Sequence, residues 1–91
     1  MPSYLVETYL SRTSTGGRRA ALELRARSAA EELTREHTSV SFEQSIHVPE
    51  DEICFFVFRA DSSRDAALAA ERAELEPIRV VEAVSSGEEK R

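Results

Sequence analysis

His47, Cys54 and Glu43 are the side chains best suited to chemistry in this 91-residue chain, which has one cysteine and two histidines. They flank the turn Pro49-Glu50-Asp51-Glu52. If those four residues close a hairpin, Val48 pairs with Ile53 and His47 lies opposite Cys54. Ser45 then faces Phe56 and Glu43 faces Phe58, so His47, Cys54 and Glu43 share one face of the sheet. Directly opposed side chains stand with Cβ atoms about 5 Å apart. An imidazole and a thiolate at that separation suit a borderline metal such as nickel or zinc. The grouping depends on register, because a shift of one residue would send His47 and Cys54 to opposite faces. Blander roles stay open beside it. Cysteine in so apolar a strand commonly serves as a small buried hydrophobe, and His47 at a strand end can be a rim residue making one hydrogen bond. His37 suits the C-terminus of a helix, where a cation is favoured.

Other chemistries lack their residues. There is no Gly-rich phosphate loop, no paired-cysteine metal motif and no His-Glu-x-x-His helix. No serine sits in a nucleophile-elbow context, and no organic cofactor is indicated. Gly16-Gly17 reads as loop flexibility rather than an anion site. A net charge of −5 gives no basic footprint for nucleic acid or an anionic membrane. No apolar run approaches the ~20 residues of a membrane span, and Met1-Pro2-Ser3 does not begin a secretory signal. The lone cysteine cannot form an internal disulfide. These features predict a soluble cytoplasmic domain with neither nucleic-acid nor membrane partners. Whether it is an enzyme stays open.

The elements that must carry these residues follow from periodicity. Ser3–Leu10 is rich in β-branched, aromatic and aliphatic residues and predicts a first strand. Ser11–Gly17 is a turn-rich loop whose hydroxyls can cap a helix. From Arg18 to Glu36, Leu22, Ala26, Ala29, Ala30 and Leu33 fall on one helical face. Ser39–Val48 alternates, which puts Val40, Phe42 and Ile46 on one side and Ser41, Glu43, Ser45 and His47 on the other. Ile53–Phe58 is apolar on both faces, as only a strand covered on both sides tends to be. Ser62 caps a second alanine-rich helix over about residues 63–74, and Pro77 forbids its continuation. Ile78–Val84 is the last strand. Residues 85–91 read as a flexible polar tail after a single domain over residues 1–84.

Strand, helix, strand, strand, helix, strand is the α+β, ferredoxin-like βαββαβ order. Right-handed crossovers place both helices on one face of a four-stranded antiparallel sheet, with the first and third strands central. The two-sided apolarity of Ile53–Phe58 agrees with that position. The face away from the helices would then expose apolar groups, which usually marks an interface. A homodimer through the open sheet face is the simplest cover. Two sheets so joined can enclose an apolar cavity, as dimeric α/β barrels do, for a small molecule beside Tyr4 or Tyr9. The alternating set Cys54, Phe56 and Phe58, with Glu43 and His47, is the face expected to carry any chemistry.

Several segments also resemble a family of small ferredoxin-like proteins, largely of unknown function, that includes nickel-binding members. The likeness runs through Pro-Ser-Tyr-Leu-Val-Glu-Thr-Tyr at residues 2–9, Val40-Ser41-Phe42-Glu43, Pro49-Glu50 and Ile53-Cys54-Phe55. It continues through Ala60-Asp61-Ser62, where the family tends to have Ala-Pro-Ser, and Arg72-Ala73, to Val80–Val84. The resemblance covers about residues 1–84 and implies a homodimer, with nickel held by histidine-rich sites in some members. This chain departs from that pattern, with Glu7 and Thr8 in the first strand and no histidine around the second helix. A metal here would need a carboxylate-richer shell of Glu7, Glu43, His47 and Cys54, binding nickel or another divalent ion less selectively than imidazoles do. A sequestration or sensing role would follow. The alternative is an enzyme or small-molecule binder that uses the cavity between sheets.

Overall fold

The computed structural model describes residues 1–14 and 16–84. Its elements are β1 (Ser3–Tyr9), α1 (Gly16–Arg35), β2 (Val40–Val48), a 3-10 turn (Pro49–Asp51), β3 (Ile53–Ala60), α2 (Ser63–Arg72) and β4 (Arg79–Ala83). The sheet order is β2-β3-β1-β4, with all three pairings antiparallel. This is the ferredoxin-like βαββαβ arrangement, with β1 and β3 in the centre. The expected tail, 85–91, and Thr15, one of the hydroxyls expected to cap α1, lie outside the described residues.

The core lies between the helices and one sheet face. Leu22, Ala26, Ala29, Ala30 and Leu33 of α1 are the buried residues of that helix, as their spacing predicts. Ala66, Ala69 and Ala70 do the same for α2. Alanine at these positions lets both helix axes sit close to the sheet. The sheet answers with Tyr4, Val6, Cys54, Phe56 and Phe58 in the same buried cluster. Phe42 packs its ring 5.5 Å from Phe58 and 6.2 Å from Phe56 in tilted geometries, which aromatic quadrupoles favour.

The element ends have identifiable causes. Ser62 Oγ accepts from the Asp65 N–H at 3.2 Å and starts α2 as predicted. That helix stops at Arg72, two residues short of the expected end, because Glu74 turns left-handed at φ 58°. Bonds from Leu75 N to Ala70 O and from Glu74 N to Glu71 O close the end, the Schellman pattern. The end of α1 repeats it, with His37 at φ 76° and a bond from Thr38 N to Leu33 O. His37 therefore marks the helix terminus, as expected, but through its backbone. The N-terminus of α1 reaches back to Gly16, so the two glycines predicted to be loop are helical.

One feature of β2 corrects the sequence pattern. The register runs Val40↔Ala60 and Phe42↔Phe58, then skips Glu43 and resumes Gln44↔Val57, Ser45↔Phe56, Ile46↔Phe55 and His47↔Cys54. A bulge of one extra residue reverses which side each later side chain takes. Phe42 and Val40 face the helices, whereas Ile46 faces the other way and is 45 % exposed. Glu43 does not oppose Phe58 as expected, because the bulge takes it out of the pairing.

Candidate functional site

Of the four residues expected to form a metal shell, the hairpin brings two together. His47 lies opposite Cys54 in the expected register. Both point beneath α1, because Cys54 is fully buried in the cluster that includes the helices. Glu7 lies on the opposite face, across from Phe55 on β3 and Arg79 on β4. Glu43 extends toward Arg59, with Oε2 3.7 Å from Nη1 in an exposed pair. Among the described residues, no three His, Cys, Asp or Glu side chains form a group able to hold a metal ion. The four-residue shell of Glu7, Glu43, His47 and Cys54 therefore does not assemble within one chain.

The His47–Cys54 pair belongs to a small polar cluster under the first half of α1. Ser45 donates from its hydroxyl to Glu23 Oε2, which ties β2 to the helix. Burial pushes the Cys54 thiol above its ordinary value, with Glu23 adding to the effect while Arg19 and the Ser45 hydroxyl oppose it. A buried, protonated thiol is a poor nucleophile. His47 Nε2 is buried and has no hydrogen-bond partner, although buried polar atoms are usually paired. The cluster stabilises a helix–sheet contact and retains one unspent nitrogen.

The opposite face is chemically different. No helix covers it, and its centre is built by Leu5, Phe55, Val57, Ile46 and Val81. Val57 is 6 % exposed even so, hemmed by its cross-strand neighbours Leu5 and Gln44. Tyr9 stands at one end, opposite Ile53 and 62 % exposed. Within this apolar surface Glu7 is 9 % exposed, the one buried acidic residue among those described. Arg79 Nε donates to Glu7 Oε1 at 2.7 Å, and the Arg79 side chain is itself 65 % exposed. A charge-assisted bond of that length offsets much of the cost of placing a carboxylate among apolar groups. Its outward-facing partner leaves the pair open to exchange with a ligand.

Arg79 and Glu23 were not among the residues singled out by sequence. Arg79 had a usable signal. It begins β4 with the opposite charge to Glu7, and β1–β4 pairing sets the two across from each other. Glu23 had none, since a glutamate on a charged helix does not announce a partner on a distant strand. Of the two tyrosines weighed for a cavity, Tyr4 is buried among the core residues and Tyr9 faces the open side.

No family model matches the chain, and no curated protein matches it. Among solved structures, it is similar to SCO4226 from Streptomyces coelicolor A3(2), with a TM-score of 0.68 and 17% sequence identity over 92% of this chain and 98% of that one. At that identity the likeness shows a shared fold.

Proposed function

We propose that the chain acts as a homodimer joined through its open sheet face, and that the two sheets enclose a small-molecule site containing Glu7 and Tyr9. The observation that carries this reading is the placement of a buried, arginine-paired carboxylate at the centre of an apolar sheet face that no helix covers. Apolar side chains there gain roughly 25 cal/mol for each Å² removed from water by a second copy. A two-fold pairing would bring both Glu7–Arg79 pairs to the same interior. A ligand that fits has an apolar body and a hydroxyl or amine able to donate to Glu7. If such a ligand is turned over, Glu7 is the group placed to accept its proton.

Sedimentation velocity at tens of micromolar protein tests the assembly, with twice the mass of one chain expected. A single-chain mass at that concentration overturns the proposal. Occupancy is tested by native mass spectrometry of freshly purified protein, where a dimer carrying a bound metabolite that disappears in Glu7→Gln is expected.

A second reading is favoured by His47 Nε2. A divalent ion such as nickel or zinc could take that nitrogen together with Cys54, at the expense of the thiol proton that burial stabilises. Calorimetry with nickel and zinc on tag-free protein tests it. Heat that vanishes in His47→Ala supports it; no heat at millimolar metal removes it and leaves the dimer reading untouched.

A further inference from the structure

A groove of about 360 Å³ runs between α1 and the edge strand β2, on the helix side of the sheet and away from the open face. That volume lies within the usual range for small-molecule sites, ~300–1,000 Å³. Ala30, Val40 and Phe42 form its apolar floor, and Arg27, Glu31 and Arg35 stand along one wall at successive turns of α1. Arg27 lies over the Phe42 ring, with its guanidinium carbon 5.2 Å from the ring centroid. A cation–π contact of this kind engages the charge with the ring face and takes up no oxygen acceptor. Arg25, Arg59, Arg72 and Arg79 each have a carboxylate within 4 Å. Among the described residues Arg27 and Arg35 have none, although both line a concave surface.

The strand wall adds a donor. Thr34 Oγ1 donates to the Val40 carbonyl at 2.8 Å and accepts from the Val40 N–H at 3.2 Å. Those two Val40 groups therefore point away from β3. The alternation of an antiparallel strand turns the Phe42 N–H and C=O outward as well, at an edge with no strand beside it. Thr34 closes the groove at one end and the bulge at Glu43 ends regular pairing at the other. The free edge between them is too short for an added peptide strand, which favours a small molecule. Two arginines against one glutamate leave the groove with a single net positive charge.

We propose that this groove binds a small apolar monocarboxylate, its body on Ala30, Val40 and Phe42 and its carboxylate between Arg27 or Arg35 and the Phe42 N–H. The site is separate from the proposed dimer surface, because its floor of Ala30, Val40 and Phe42 and its wall on α1 lie on the helix side, and only Ser41, at the sheet edge, alternates toward the open face. Titration of 15N-labelled full-length protein with phenylacetate, and in parallel with uncharged phenylacetamide, tests it. Saturable shifts are expected at the amides of Ala30, Thr34, Ser41 and Phe42 with phenylacetate, and weaker ones with phenylacetamide. Arg27→Gln and Arg35→Gln each weaken phenylacetate by about three- to tenfold, the scale of one exposed charge-assisted bond. Arg64→Gln on α2 leaves affinity unchanged. Equal response to both probes, affinity unaffected by both groove variants, or shifts centred on Phe55 and Glu7 instead would overturn the proposal.

Discussion

Cys54 is fully buried opposite His47, in the cluster under the helices. The four-residue turn sets His47 opposite Cys54 because hairpin length determines register, and that much is legible in Pro49–Glu52. What cannot be read locally is which side the helices take, and so whether the pair is exposed or buried. Its burial has a measurable consequence. Because the folded thiol is raised by desolvation, its contribution to stability is complete below the unfolded value of ~8.5. It is lost as pH rises through the higher folded value, since the unfolded thiol ionises first. The urea midpoint is therefore expected to fall above about pH 8.5, and this decline should be reduced in Cys54→Ala. In native protein at pH 8, the thiol should react with a disulfide reagent at least ~100-fold more slowly than in denaturant, through rare opening. Native-state labelling at the denatured rate would refute the buried placement. At the same scale, His37 and Glu74 occupy left-handed conformations at φ 76° and 58°. Glycine accepts that region without a Cβ clash. Glu74→Gly and His37→Gly should each stabilise the chain by about 0.5–1 kcal/mol in urea unfolding, whereas a loss would show that the side chain does more than occupy the turn.

Elements were legible where periodicity is long and unbroken. The α1 face from Leu22 to Leu33 is a 3.6-residue repeat over three turns, and Ser62 with Asp65 is a local capping signature, so both agree with the structure. The bulge at Glu43 was not legible, because a single inserted residue leaves the alternation of β2 intact on either side of it. Val40-Ser41-Phe42 and Ile46-His47-Val48 each alternate correctly, yet they refer to opposite faces. For the same reason Glu43 was assigned to a shell it does not join. Ser62 gives an element-scale test. Its hydroxyl is the observed acceptor for the Asp65 N–H at the start of α2, and Ser62→Ala should cost about 1 kcal/mol. Ser62→Asp, which keeps an acceptor and adds charge favourable to the helix N-terminus, should recover most of it. Equal losses in both variants would mean that packing, not the cap, sets the start of α2. The far end of α2 is joined to α1 by Arg72, which reaches Glu36 at 2.7 Å and Glu32 at 3.6 Å. The hydrogen bond from Arg72 holds the Glu36 carboxyl below its ordinary range, so an NMR titration should return it toward that range in Arg72→Gln.

At the scale of the whole molecule, β3 is a central strand with one face under the helices and the other on the open side of the sheet. Its two alternating sets were visible as an apolar run with no polar face, and a central position follows from topology. Which set faces the helices is decided by the pairing. Cys54, Phe56 and Phe58 lie under the helices, and Ile53, Phe55 and Val57 face away. Neighbouring phenylalanines should therefore respond in opposite ways to the same substitution. Phe56 is fully buried in the core, so Phe56→Asp places an unpaired carboxylate among apolar side chains. A loss above ~4 kcal/mol is expected, a large share of the ~5–15 kcal/mol that holds a typical domain. That variant should lack a cooperative unfolding transition at 25 °C. Phe55 lies on the uncovered face beside Glu7. In Phe55→Asp the new charge stays hydrated in the free chain, but in a sheet-to-sheet pair it would be buried twice across the two-fold axis and close to both Glu7 carboxylates. The fold should survive by circular dichroism while sedimentation shifts from dimer to monomer. A Phe55→Asp protein that remains dimeric would place the interface elsewhere, and a folded Phe56→Asp would reverse the assignment of the two faces of β3.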